Sequence, residues 1–263
     1  MANQEIKCRR IAIIQFLRDC DEPQGEKLYE EIKELENTEQ DFVISCTVAK
    51  SKEEFFKAID NLCKELIEPT LVTLHLDTHG CEDGIGIDRF DNFITWHELY
   101  EHIRPINIKL HNTLMIVMSV CVGAGIMTCL EPNNRAPFMA FIGNTRSVLF
   151  RDAAKGFPLF YKNYRTPLDF PKALESLNSV IDFKEPLPGG MKKTEFFVYS
   201  SQEMFEQVMN PDRDKSNFKD IVLKMKFNDT SITDEEKIKI ARTMIINEAN
   251  RLRDFFNFQD ELR

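Results

Sequence analysis

The sequence predicts an α/β fold, a three-layer α-β-α sandwich with a mainly parallel sheet of about six strands and a C-terminal helical extension. Short apolar runs such as residues 11–17 are typical of strands that are covered on both faces. Segments with helical spacing of apolar residues lie between these runs. Strand and helix alternate five times, which favours parallel strands joined by crossover helices. With 43% hydrophobic residues, the 263-residue chain can bury a sizeable core.

The sequence of the first third of the chain predicts three strands and two helices. Ser51 precedes two glutamates and is a suitable N-cap for the second helix. In order, the predicted elements are a strand at 11–17, a helix at 26–36, a strand at 42–48, a helix after Ser51 and a strand at 71–76.

The middle of the chain continues the alternation after a loop or small hairpin at 80–93, which is rich in glycine and acidic residues. Thr95 and Glu98 form a capping-box pattern, and Ser201 is the predicted cap of a later helix. The elements expected here are helices at 96–103, after Gly123 and Gly125, at 150–164 with an interruption at 156–158, at 170–181 and at 202–209, and strands at 114–120, 138–142 and 196–199.

A change in composition after residue 210 predicts two parts. Residues 1–210 are expected to form the α/β domain, and the charged segment 211–263 a helical extension that packs on it. Within the extension, residues 233–256 have apolar residues at helical spacing behind Thr233-Asp-Glu-Glu. We expect this helix to act as a lid or an interaction surface.

Charge and cysteine content narrow the functional class. A formal net charge of −9 disfavours nucleic acid and anionic membranes as partners, because both carry negative charge. Seven cysteines without a CxxC pair, after a polar start with no signal-peptide pattern, favour free thiols in the cytoplasm. The uncharged run 111–130 contains two glycines and several polar residues, so we interpret it as strand, turn and helix start instead of a membrane span.

A histidine and a cysteine follow two consecutive predicted strands. His79 follows the third strand and Cys121 the fourth, and the 42 residues between them fit one crossover. A cysteine nucleophile needs a base within reach, and the same imidazole can later protonate the leaving amine. The backbone N–H groups of Gly80 and Cys121 are candidates for an oxyanion hole. The pair therefore predicts nucleophilic acyl transfer.

These motifs resemble those of the caspase-like (clan CD) cysteine peptidases. Ser119-Val-Cys121-Val-Gly123 is similar to the cysteine motif of caspases, with Ser119 where caspases have glutamine. His75-Leu-Asp-Thr-His79-Gly80 with Ser119-Val-Cys121 is closer to the CHAT domain group, whose motifs are His-x-x-x-His-Gly and Ser-Ala-Cys. Residues 141–145, with the helix after them, match a third element of these domains. The likeness spans about residues 11–209, and the tail has no counterpart.

The resemblance implies a caspase-like sheet and a cysteine endopeptidase that acts on protein substrates without a cofactor. Cys121 would be the nucleophile and His79 the base. Relatives that cut after arginine or lysine often carry an acid two residues before the cysteine, where this chain has Ser119. Asp77, Ser119 and Glu82 are candidates for a substrate pocket. Gating by an activating protein or a small-molecule signal is expected, and a bacterial antiviral defence or cell-death pathway is a plausible setting.

Other interpretations stay open at this point. The same fold can serve as a non-catalytic regulatory or scaffold subunit in which Cys121 is a buried structural thiol. A metal site at His75, His79, Cys81 and Cys121 is disfavoured, since strand residues four apart are about 13 Å apart. The glycine pairs at 84–86 and 123–125 match no complete nucleotide-binding motif.

Overall fold

The computed structural model describes residues 8–37, 42–67, 70–164, 169–184, 192–209 and 233–258. The predicted α/β architecture is confirmed: a six-stranded, mostly parallel sheet lies between two layers of helices. The strands are β1 (Cys8–Phe16), β2 (Phe42–Val48), β3 (Thr70–Thr78), β4 (Gly80–Cys81), β5 (Gly84–Gly86), β6 (Phe93–Thr95), β7 (Leu114–Ser119), β8 (Ala140–Gly143) and β9 (Phe197–Ser200).

The central sheet has the order β2-β1-β3-β7-β8-β9, in which only β9 is antiparallel to its neighbour. β4, β5 and β6 form a separate three-stranded antiparallel sheet just beyond the end of β3. The predicted third and fourth strands, β3 and β7, are therefore parallel neighbours, with Asp77 opposite Ser119. Their carboxyl ends lie at one edge of the sheet.

The helices are α1 (Gln24–Ile32), α2 (Lys52–Glu65), α3 (Trp96–Lys109), α4 (Phe150–Asn163), α5 (Phe170–Asn178), α6 (Ser201–Met209) and α7 (Asp234–Phe256), with 3₁₀ helices at Lys33–Asn37 and Gly123–Cys129. α2 and α3 cover one face of the sheet, and α1, α4 and α5 cover the other. Two continuous apolar cores result, one on each face.

Several local predictions differ from the structure. The helix predicted at 96–103 continues to Lys109, with Pro105 inside it. The interruption at 156–158 is wrong, since α4 is continuous with Pro158 inside it; Gly156 lies close to Leu177, and this packing against α5 supports the helix. The short helix after Gly123 is a 3₁₀ helix. The hydroxyl that caps α6 belongs to Ser200 and not to Ser201, because Ser200 accepts the N–H of Glu203. The hydroxyl of buried Ser201 donates to the side chain of Asn257.

The end of α7 contacts the α/β domain. Phe256 packs on Phe205 with ring centroids 5.2 Å apart, and both side chains are buried. The carbonyl of Phe256 accepts the N–H of Ala136 at 3.0 Å. Residues 210–232, which precede this helix, lie outside the described ranges. Within those ranges, no helix combines the length and apolar character needed to cross a membrane.

Candidate active site

His79 lies one residue beyond β3, on the face of the sheet that α1 and α4 cover. Alternate residues of a strand share a face, and His75 and Asp77 line the space beneath α4. The ring of His79 meets Phe150, the first residue of α4, with centroids 5.0 Å apart in an edge-to-face arrangement. His79 is therefore at the mouth of the groove between the two helices.

Cys121 lies on a strained turn at the end of β7. Val122 has φ 57° and ψ 26°, a left-handed conformation that is unusual for a β-branched residue. Strain of this kind is often concentrated at functional sites. The turn brings the thiol out of the strand, and Sγ lies 3.5 Å from the carbonyl oxygen of Val148, just before α4.

Asn144 holds this turn in place. Its side chain is fully buried, donates to the carbonyl of Val120 at 2.8 Å and accepts the N–H of Val122 at 3.2 Å. Its own carbonyl accepts the N–H of Ala124 at 2.9 Å. One residue at the end of β8 thus fixes the backbone on both sides of Cys121.

The two strand ends are in direct contact. A Cβ atom at Gly80 would lie 2.3 Å from the carbonyl oxygen of Cys121 and 2.3 Å from the Val120 side chain. Only a glycine allows so close an approach. The residue after His79 therefore packs on the backbone of Cys121.

The imidazole of His79 is part of a three-residue cluster. Nε2 lies 2.8 Å from Oδ2 of Asp21 and 3.0 Å from the guanidinium of Arg18. Arg18 also donates to both carboxylate oxygens of Asp21, at 3.0 and 3.1 Å. Although burial opposes it, hydrogen bonding from Arg18 and His79 lowers the pKa of Asp21 to about 2, so this carboxylate is charged near neutral pH.

Asp21 and Arg18 favour different tautomers of His79. The carboxylate accepts a proton carried on Nε2, which leaves Nδ1 free to accept a proton. The guanidinium is only a donor, so it favours an unprotonated Nε2. Asp21 is thus placed to orient a histidine base, and Arg18 competes with that role.

The thiol and the imidazole do not hydrogen-bond to each other in this structure. Among the described residues, the Val148 carbonyl is the hydrogen-bond partner of Cys121 Sγ. Catalytic hydrogen bonds are often long or poorly aligned without substrate, so this arrangement is compatible with a catalytic pair.

The two candidate oxyanion donors are the backbone N–H groups of Gly80 and Cys121. β4 and β5 are antiparallel, and the N–H of Gly86 donates to the carbonyl of His79. The next opposed pair, Gly80 and Ile85, therefore exchanges no backbone hydrogen bonds, and the N–H of Gly80 points away from β5. No acceptor among the described residues bonds the N–H of Cys121. Both amides are available to stabilise negative charge.

Of the three candidate pocket residues, the structure brings two together. Asp77 and Ser119 line a small pocket beneath the strand ends. Glu82 is exposed on the hairpin loop and does not contribute to the lining. His75 is at the bottom of the same pocket, where Nδ1 is 3.0 Å from the Tyr161 hydroxyl and burial lowers its pKa to about 3, so it is neutral.

Within the described ranges, no cluster of three or more histidine, cysteine or acidic side chains is arranged to hold a metal ion. Cys81 and Cys121 are free thiols. His75 is directed to Tyr161 and His79 to Asp21.

Sequence reasoning missed Asp21 and Asn144. Asp21 lies in the loop between β1 and α1, where its side chain is only 11% exposed and bonds His79. A signal existed for Asn144, a polar residue that directly follows a strand of the same sheet, whereas Asp21 lies five residues beyond β1. No protein-family model matches the chain, and no curated protein matches it significantly.

Proposed function

We propose that this protein is a cysteine endopeptidase of the caspase-like type, closest to the CHAT domain group. The observation that supports it most is the contact between Gly80 and the backbone of Cys121, beside an imidazole bonded to Asp21. An acyl-transfer site needs a nucleophile, an oriented base and backbone donors in one place. All three groups lie at one edge of this sheet.

In the proposed reaction, the proton of the Cys121 thiol passes to His79 and the thiolate attacks the scissile carbonyl carbon. The C–S bond forms, and the N–H groups of Gly80 and Cys121 bind the oxyanion. The C–N bond then breaks, and the imidazolium gives its proton to the leaving amine. Water hydrolyses the thioester, which releases the new carboxyl terminus and restores the thiol.

Activation is part of the proposal. The bond from Cys121 to the Val148 carbonyl and the position of Arg18 beside Nε2 hold a resting arrangement. An activating protein or a small-molecule signal would have to move the thiol from Val148 to His79. The cytoplasm suits a chain whose seven cysteines are all free thiols.

A thiol-reactive peptide probe tests the proposal, with the label mapped by mass spectrometry. We expect labelling at Cys121, its loss in His79→Ala, and a roughly tenfold or greater reduction in Asp21→Asn, as for loss of an oriented base. Exposed Cys20 serves as the internal control for general thiol reactivity. Labelling of Cys20 alone, with lysate added as a source of activators, would contradict the proposal.

The second candidate is a non-catalytic scaffold with the same fold. Three apolar side chains of α7, Ile240, Met244 and Ile246, are exposed, which favours a partner surface on this helix. New peptide termini in a cell lysate separate the two candidates. They should appear with the wild-type protein and be absent with Cys121→Ala if the protein is a peptidase.

A further inference from the structure

The carboxylate of Asp21 receives most of its hydrogen bonds from Arg18. Its Oδ2 atom accepts the main-chain N–H of Arg18 and the side-chain Nε–H of the same residue, both at 3.0 Å. Its Oδ1 atom accepts Nη2 of Arg18 at 3.1 Å. Each carboxylate oxygen has about two acceptor positions, so Arg18 fills both positions on Oδ2 without any contribution from His79.

The second hydrogen of Nη2 is available to His79. Nη2 carries two hydrogens, and one of them serves Oδ1 of Asp21. The same nitrogen lies 3.0 Å from Nε2 of His79, which is a normal hydrogen-bond distance. A guanidinium can only donate, so this bond requires an Nε2 atom without a proton. With Nε2 as the acceptor, each of these Arg18 N–H groups has a partner.

The same atoms permit a second arrangement. Nε2 of His79 also lies 2.8 Å from Oδ2 of Asp21, so a proton on Nε2 would bond the carboxylate. That proton would face the hydrogens of Nη2, and two donors repel each other. Without the proton, Nε2 and Oδ2 face each other as two acceptors. Neither arrangement satisfies all three residues, so removal of one neighbour decides which tautomer prevails.

The tautomer determines whether His79 can act as a base. Nε2 is held by Arg18 and Asp21, and Nδ1 has no hydrogen-bond partner among the described residues. A neutral imidazole carries one proton. When Nε2 accepts from Arg18, that proton is on Nδ1, which can then only donate. When the proton is on Nε2, Nδ1 can accept the proton of a thiol.

We propose that Arg18 is an inhibitory positioning residue, which keeps His79 in the Nδ1–H tautomer until the guanidinium moves away from Nε2. The Arg18 side chain is 49% exposed, so it can turn into solvent without opening the core. The main-chain N–H of Arg18 would still hold Asp21, which then accepts the proton of Nε2. Movement of one side chain thus completes the base. This inference rests on the proposed peptidase activity, whose activation step it specifies.

Nitrogen-15 NMR of the histidine rings measures the tautomer of His79 without any enzyme activity. Spectra are recorded at pH 8, where an ordinary histidine is neutral, and the His79 signals are identified by their loss in His79→Ala. We expect the Nδ1–H tautomer in wild type and the Nε2–H tautomer in Arg18→Met, which keeps an unbranched apolar side chain and removes the donors.

The matched control for this measurement is Lys50→Met. Lys50 pairs with Asp19 at 2.6 Å, so the variant removes a cation that contacts the same loop, and the tautomer of His79 should stay as in wild type. A proton on Nε2 in wild type, an unchanged tautomer in Arg18→Met, or the same change in Lys50→Met would overturn the inference.

Labelling of Cys121 by the peptide probe measures the consequence for the proposed reaction. If the productive tautomer is about one tenth of the population, its complete release increases the labelling rate roughly tenfold in Arg18→Met. The increase should be absent in Lys50→Met and should disappear when His79→Ala is added. A changed tautomer with no Cys121 labelling in any protein would leave the effect of Arg18 on the imidazole standing and remove the peptidase. A changed tautomer with the wild-type labelling rate would remove the inhibitory role of Arg18.

Discussion

Asp77→Asn has a predictable effect on stability that does not depend on any activity. The carboxyl of Asp77 is buried in the folded protein, where its pKa rises to about 7, against 3.8 for an ordinary aspartate. Asparagine has nearly the same shape and no charge to bury. The two proteins should therefore differ in stability only where Asp77 is ionised.

The sign and the size follow from the two pKa values. Between pH 3.8 and about 7 the folded protein keeps a proton that the unfolded chain has released, so the free energy of unfolding falls as pH rises. The slope is about 1.4 kcal/mol per pH unit, which gives about 4 kcal/mol over the whole interval. From pH 5 to pH 8, the stability advantage of Asp77→Asn over wild type should grow by about 3 kcal/mol.

Urea denaturation at pH 5 and pH 8 measures this change, with fluorescence of the single tryptophan, Trp96, which is 4% exposed. His75 titrates in the opposite sense, but its contribution cancels because the two proteins are compared at the same pH. Glu82→Gln is the control for loss of an exposed carboxylate. An advantage of Asp77→Asn that is the same at both pH values would refute the reasoning, since Asp77 would then be ionised throughout.

Three further predictions concern other positions. Asn144→Ala leaves the Val120 carbonyl unpaired and should lower the free energy of unfolding by about 1 to 3 kcal/mol in the same urea assay. Gly80→Ala places a methyl group against the Cys121 carbonyl and should cost about 1 to 3 kcal/mol and reduce labelling of Cys121, whereas Cys81→Ala should do neither. His75, with its pKa lowered to about 3, stays neutral while the unfolded chain is protonated below pH 6.5. Wild type should therefore lose about 1.4 kcal/mol per pH unit relative to His75→Gln as pH falls from 6 to 4, measured by urea denaturation.

The sheet and the meeting of its strand ends were predictable because they follow from periodicity and chain order. Apolar runs at β3 and β7 indicate strands buried on both faces, and one crossover between them makes them parallel. Parallel neighbours end at the same edge, which places His79 near Cys121. None of this required knowledge of side-chain geometry.

The residues around the His79 imidazole could not be predicted from apolar periodicity and chain order. Asp21 is 58 residues from His79 and belongs to a loop whose path depends on the whole fold. Asn144 acts through hydrogen bonds to main-chain atoms, which leave no pattern in side-chain spacing. Likewise, Pro158 lies inside α4 because close packing at Gly156 outweighs a local helix-breaking signal.

Trp96 joins the two loops of the candidate site. Its indole N–H donates to the Glu82 carbonyl at 2.9 Å, on the hairpin that follows His79. The same ring lies so close to Gly125, just beyond Cys121, that a Cβ there would be 2.2 Å from the indole nitrogen. Neither loop can open without disturbing this ring. Backbone amide hydrogens of the two loops should therefore exchange with solvent as one cooperative unit, at a rate that depends on the packing of the Trp96 ring.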